Sequence, residues 1–179
     1  SSAASDVYKR QVIHMCNIIF LDVDGVLNSF PYDQSTSGSE EFQEIRDFHT
    51  KKLAKIYHEC NAKIVLSSTW RTLGEDIATR PMYNYLVNEL SKYDMVIFDK
   101  TPIYSMNRPK EIAEWLKVNQ SKVCNCVILD DDFPPAAYAK YGLEQNLVQT
   151  RYFCDSIDKG GLQEGHVKKA IAILKGGQS

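Results

Sequence analysis

The stretch CNIIFLDVDGVLNS, residues 16–29, runs from apolar, largely β-branched residues straight into two aspartates one residue apart, followed by a glycine. A near-continuous apolar run of this length reads as a strand covered on both faces, as in a parallel sheet, where an exposed antiparallel strand would alternate. The same signature recurs in AKIVLSS (62–68), MVIFD (95–99) and NCVILDD (125–131), with NLVQT (146–150) as a weaker fifth run. Between these runs lie amphipathic helical patterns. Residues 40–60 present Phe42, Ile45, Phe48, Leu53, Ile56 and Cys60 on one face, and residues 81–93 present Met82, Tyr85, Leu86 and Leu90. Residues 109–118 offer Ile112, Trp115 and Leu116, and residues 164–174 offer Val167, Ala170, Ile171 and Leu174. Strands alternating with helices predict an α/β fold, a doubly wound, Rossmann-like parallel sheet with helices on both faces.

The bulk numbers agree with one soluble domain. The chain has 179 residues, 44% of them hydrophobic and 25% charged, and no apolar run approaches the length of a membrane span. A net charge of −2 predicts no long-range attraction to nucleic acid or anionic lipid, so a polyanion would have to be held by a local cluster. The cysteines at 16, 60, 124, 126 and 154 are scattered and read as small hydrophobes of a reducing, cytoplasmic setting. The four histidines have no ligand spacing, and two of them fall on what reads as a solvated helix face. The first eleven residues, SSAASDVYKRQ, resemble a translated sequencing adapter and are set aside as a non-native or disordered tail, with residues 12–179 forming the domain and the true start missing or near Met15.

Doubly wound sheets bind ligands beyond the carboxyl ends of their strands. The apolar runs here give way to Asp22 and Asp24, to Ser67 through Thr69, to Asp99, and to Asp130 through Asp132, so polar and anionic residues gather at one edge. Residues two apart on a strand share a face, which directs Asp22 and Asp24 to one site, and Gly25 lets the chain turn there. Bare carboxylates so close repel one another unless a proton or cation sits between them. A hard divalent cation such as magnesium, which takes carboxylate, water and phosphate oxygens, resolves that cost. Asp132, just before FPP, reads instead as the cap of a helix starting near Pro134. Residues 28–40 and 99–109 read as loops over this edge, too short to be lid domains.

FLDVDGVLNS resembles the first motif of the haloacid dehalogenase (HAD) superfamily of phosphotransferases, an apolar strand followed by DxDG(V/T)L. The order of Asp pair, Ser, basic residue and acidic cluster is similar to its four-motif layout, across residues 16–175. LDVDGVLN, IVLSSTWR, KTP, RPKEIAEWL, VILDDD, LVQT and GLQEGH resemble, more narrowly, the HAD domain of Swiss Army Knife RNA repair proteins. The resemblance implies that Asp22 attacks phosphorus to give an aspartyl-phosphate, that Asp24 serves as general acid and base, and that Ser67 binds the transferring phosphoryl group. Ser68 and Thr69 are its neighbours in register. Arg108, or else Lys110, takes the third-motif cationic place, and Asp22, Asp24, Asp130 and Asp131 hold Mg²⁺. Arg71 reads equally as a contact to a second phosphate and as a solvated residue at a loop or helix start. Cap domains would insert after the first motif or between the second and third, and here only a loop and one helix stand in those places, so the site is expected to be open. Open relatives tend to act on phosphates of macromolecules, nucleic-acid ends and phosphoproteins among them, which favours a polynucleotide end phosphatase over a nucleotidase; the same chemistry on a small metabolite or a phosphoprotein is the alternative, and a non-catalytic module the remaining one. Phe30, Tyr32 and Trp70 are candidates to stack a base, or else packing aromatics.

Overall fold

The structure is a computed structural model that describes residues 15–32 and 44–177. The adapter-like tail and Phe42 lie outside the described residues. Five parallel strands form the main sheet: β1 (Cys16–Leu21), β3 (Ala62–Leu66), β4 (Ile97–Lys100), β5 (Val123–Asp130) and β6 (Leu147–Gln149), in the order β4-β3-β1-β5-β6. A second, two-stranded parallel pair joins β2 (Phe30–Pro31) to β7 (Phe153–Cys154).

The period of two in a strand sorts the core into layers. Ile19 and Leu21 of β1 face one side with Ile64, Leu66, Val127 and Leu129, where they meet Leu53 and Ile56 of α1 (Asp47–Glu59), Leu86 and Leu90 of α2 (Arg80–Ser91), and Val167, Ala170 and Leu174 of α5 (Glu164–Leu174). Ile18 and Phe20 face the other side with Val65 and Ile128, against Ile112 and Trp115 of α3 (Arg108–Asn119) and Tyr138 of α4 (Pro135–Ala139). Helices cover both faces, which is the doubly wound arrangement the apolar runs predict. Among the described residues nothing forms a separate cap, and no helix is long and apolar enough to cross a membrane.

Some local expectations are corrected. Helix α1 starts at Asp47, and its buried stripe runs through His49, Leu53, Ile56 and Cys60, while Phe48 is exposed. The solvated-face reading of the histidines therefore fails at His49, which is fully buried with Nδ1 2.9 Å from the Leu162 carbonyl oxygen. Ile45 is buried ahead of the helix, its N–H donating to the Tyr85 hydroxyl at 3.0 Å. Helix α4 has Pro134 at its N-cap and no side-chain cap, so Asp132 does not cap it.

Candidate active site

Registration of the sheet builds the site. Leu21 of β1 pairs with Leu66 on one side and Leu129 on the other, so the next residues along each strand stand abreast. The ladder continues one rung further: Asp22 N–H donates to Leu129 O at 3.0 Å, Ser67 N–H to Leu21 O at 3.0 Å, Thr101 N–H to Leu66 O at 3.1 Å and Thr150 N–H to Asp130 O at 3.0 Å. Asp22, Ser67 and Asp130 continue the alternation that sends Phe20, Val65 and Ile128 toward α3 and α4. The polar groups at this edge thus meet the start of α3 and the side of α4.

Arg108, the first residue of α3, meets them. One guanidinium nitrogen, Nη1, donates to Asp22 Oδ2 at 2.6 Å and also to Asp130 Oδ1. Tyr138 of α4 donates its hydroxyl to Asp130 Oδ2 at 2.5 Å, and Asp132 N–H donates to Asp130 Oδ1 at 3.1 Å. Pro109 follows Arg108 in the first turn of α3, where a missing N–H costs nothing, and Asn107 caps the helix by accepting from Lys110 N–H at 3.2 Å. Of the two cations read as alternatives, Arg108 is the one brought to the carboxylates, whereas the Lys110 ammonium lies over the Tyr104 ring.

Asp22, Asp130 and Asp131 each offer an oxygen, and these atoms lie within 4.8 Å of one another. Asp131 occupies the space that a side chain at Gly25 would take, since a Cβ there would stand 2.2 Å from Asp131 Cγ. Burial pushes the Asp22 carboxyl well above its usual range; Arg108 pulls it back, and Asp130 and Asp131 push it up again. Burial, with Asp130 and Asp132 beside it, raises Asp131 to about 6. Burial alone would lower the Arg108 pKa, but Asp22 and Asp130 more than reverse that. One guanidinium among so many carboxylates leaves the cluster short of positive charge. An all-oxygen donor set of this spacing fits a hard divalent cation.

Asp24 is not in that cluster. The strand ends at Leu21, and the chain then coils tightly, with Leu27 N–H bonded to Val23 O at 2.8 Å and Gly25 at φ +76°, so the strand rule that placed Asp24 beside Asp22 no longer applies. Its carboxylate accepts instead from Trp70 Nε1 at 2.8 Å and from Asn28 Nδ2 at 2.8 Å, while Asn28 Oδ1 accepts from Gly25 N–H at 3.0 Å. Trp70 is buried and holds Asp24, so it is not a stacking surface.

Ser67 and Ser68 are both buried. The Ser67 hydroxyl has no hydrogen-bond partner, which is uncommon for a buried polar group and leaves it available to a ligand. Ser68 Oγ accepts from Trp70 N–H at 3.3 Å. Thr69 opens the next 3-10 turn. Arg71 is buried and not solvated: Nη1 donates to the carbonyls of Ser67 (2.7 Å) and Ser68 (2.8 Å), and Nη2 to Glu111 Oε2 at 2.7 Å. Glu111 Oε1 accepts from Tyr104 N–H at 2.8 Å. This ion pair ties the serine turn to the helix turn that carries Arg108.

Sequence reasoning missed Asn28, Glu111 and Tyr138; of its two readings of Trp70, base stacking and packing, the buried ring matches the packing one. A buried carboxylate partner for Arg71 had one signal, a Glu three residues after Arg108 in the first turn of a helix aimed at the polar edge. A family model described as the HAD domain in Swiss Army Knife RNA repair proteins matches residues 18–155. No curated protein and no solved structure matches the chain.

Proposed function

The protein belongs to the family of HAD domains in Swiss Army Knife RNA repair proteins, a HAD-type hydrolase, and we propose on that footing that it is a Mg²⁺-dependent phosphomonoesterase acting on phosphorylated polynucleotide ends. The observation that carries the reading is the convergence of Asp22, Asp130 and Asp131, from two separate strand ends, within 4.8 Å.

Asp22 is the nucleophile. Its carboxylate oxygen forms a bond to phosphorus as the phosphorus–ester oxygen bond breaks, giving an aspartyl-phosphate and splitting one hard displacement into two easier ones. Asp24, held by Trp70 and Asn28, gives a proton to the leaving oxygen. It then takes one from the water that attacks the phosphoryl group, which releases inorganic phosphate and restores Asp22. Arg108 and the unpartnered Ser67 hydroxyl bind the phosphoryl oxygens, on which charge is spread in the transition state. Asp22, Asp130 and Asp131 would hold the cation, which supplies neutralisation of phosphoryl charge and keeps the carboxylates ionised. Lys110 remains a candidate contact for the rest of the substrate. Arg71 acts through the backbone of Ser67 and Ser68. An edge without a cap among the described residues, together with the family's association with RNA repair proteins, supports a macromolecular phosphate.

Turnover of an aryl phosphate with and without Mg²⁺, by the native protein and by Asp22→Asn, tests the chemistry. Magnesium-dependent turnover that falls at least about 100-fold in Asp22→Asn is expected; equal rates in the two proteins would refute it. A panel of 3′-phosphorylated and 5′-phosphorylated oligonucleotides and a mononucleotide tests the substrate class, and much faster cleavage of the mononucleotide refutes the polynucleotide reading.

A further inference from the structure

We propose that Phe153 is the platform on which the unpaired base of a phosphorylated polynucleotide end stacks, an inference that rests on the phosphatase reading above. Phe153 is 58% exposed, yet it is held among three other rings. Tyr32 lies nearly parallel to it, at 6.1 Å and 11°, and Phe30 (5.9 Å) and Tyr152 (5.0 Å) meet it edge-on. The backbone beneath is fixed: Phe30 pairs with Phe153 across the small sheet, Phe30 N–H donates to Tyr152 O at 2.7 Å, and the next residue, Cys154, is buried. The ring therefore presents a fixed aromatic surface, and little ordering is needed when a flat ligand lands on it.

Its position ties it to the carboxylates. Both arms of the small sheet spring from the active edge. One leaves Thr150, whose N–H is bonded to Asp130 O, and the other leaves Asn28, whose amide is bonded to Asp24. Besides burial, which is the larger influence, Asp24 and Asp131 push up the pKa of the Tyr152 hydroxyl, as expected of a group close to the cluster.

A base is the ligand this surface suits. With a net charge of −2 and three clustered carboxylates, the protein has no broad field to draw in a polyanion, so affinity for a strand must come from local contacts. Stacking supplies one that tolerates any base, and the exposed Arg151 beside Tyr152 adds a cation for a flanking phosphate. A phosphopeptide would gain less from a flat ring than a base does, since every base has a π-face to lay on it.

The test compares single-stranded oligonucleotides that carry a terminal phosphate and either a normal or an abasic end nucleotide with phosphoserine and a phosphopeptide, for the native protein, Phe153→Ala and Phe153→Trp. The ratio of oligonucleotide to phosphoserine kcat/KM is expected to fall about 5- to 100-fold in Phe153→Ala, mostly through KM, and to be kept in Phe153→Trp. The alanine effect should vanish on the abasic end. Equal use of base-bearing and abasic ends by the native protein overturns the platform while leaving the phosphatase reading intact, and so does a phosphopeptide preference that Phe153→Ala abolishes. If no phosphoester is turned over, the phosphatase reading fails. The platform is then decided by quenching of a terminal 2-aminopurine on binding to the native protein: quenching lost in Phe153→Ala upholds it, and no quenching overturns it.

Discussion

Replacing Glu111 by alanine leaves the Arg71 guanidinium buried without its counter-charge. The two side chains are 4% and 1% exposed and 2.7 Å apart, so water cannot take the place of the lost carboxylate. Breaking a buried pair from one side costs about 3–5 kcal/mol, and the Tyr104 N–H, which also loses its acceptor, adds about 1 kcal/mol more. For a domain of this size, roughly 2–4 °C of melting temperature is lost per kcal/mol, so the total of about 4–6 kcal/mol predicts a fall of roughly 8–24 °C. Urea unfolding of the native protein and Glu111→Ala measures the loss directly, and an unchanged slope shows that the transition remains two-state. Activity measured well below the lowered midpoint should also fall, because the pair joins the Ser67–Ser68 turn to the start of α3. The double replacement Arg71→Met with Glu111→Leu should recover most of the stability, since an apolar pair of similar volume replaces a buried ionic one. It should not recover activity, because the bonds to the Ser67 and Ser68 carbonyls are gone. A cost below about 1 kcal/mol for Glu111→Ala would refute this reasoning, because it would mean that Arg71 is adequately held by the two carbonyls.

Two further outcomes rest on the same geometry. Gly25→Ala forces a side chain onto a φ of +76° and into the place of Asp131; calorimetric titration with Mg²⁺ should show at least about a 10-fold weaker affinity, in keeping with displaced metal ligands, and native-like binding would sink this view of Asp131. His49 is buried with Nε2 lacking a partner, and burial lowers its pKa to about 4, so the unfolded chain binds the proton more readily between pH 6.5 and 4. Stability is complete above pH 6.5 and drains away as the pH falls toward 4, by about 3 kcal/mol in all. Denaturant midpoints of the native protein and of His49→Asn across that interval should diverge in slope, and parallel curves would contradict the assignment.

The fold was legible because the apolar runs are long, continuous and regularly spaced, and a strand such as IIFL admits few readings once helical patterns flank it. Asp22, Asp130 and Asp131 were legible for a related reason: a carboxylate after a buried strand has nowhere to go but the sheet edge. Periodicity failed where contacts bridge distant segments. Glu111 lies next to Ile112 in sequence and reads as surface, yet the first turn of α3 points into the polar edge and not to solvent. Tyr138 sits on a helix too short to display a period. Asp24 was misplaced because the strand rule was extended beyond where the strand stops. At His49, an imidazole that reads as solvated occupies the inward stripe, with its proton satisfied by a carbonyl more than a hundred residues away.

The row of groups abreast at the sheet edge, Asp22, Ser67 and Asp130, is drawn from three separate strand ends, and Arg108 reaches it from a helix on a further segment. If the proposed function holds, hydrolysis reports assembly of the whole edge: a fragment lacking the strand end that carries Asp22, Ser67 or Asp130, or the start of α3 that carries Arg108, should turn over no substrate.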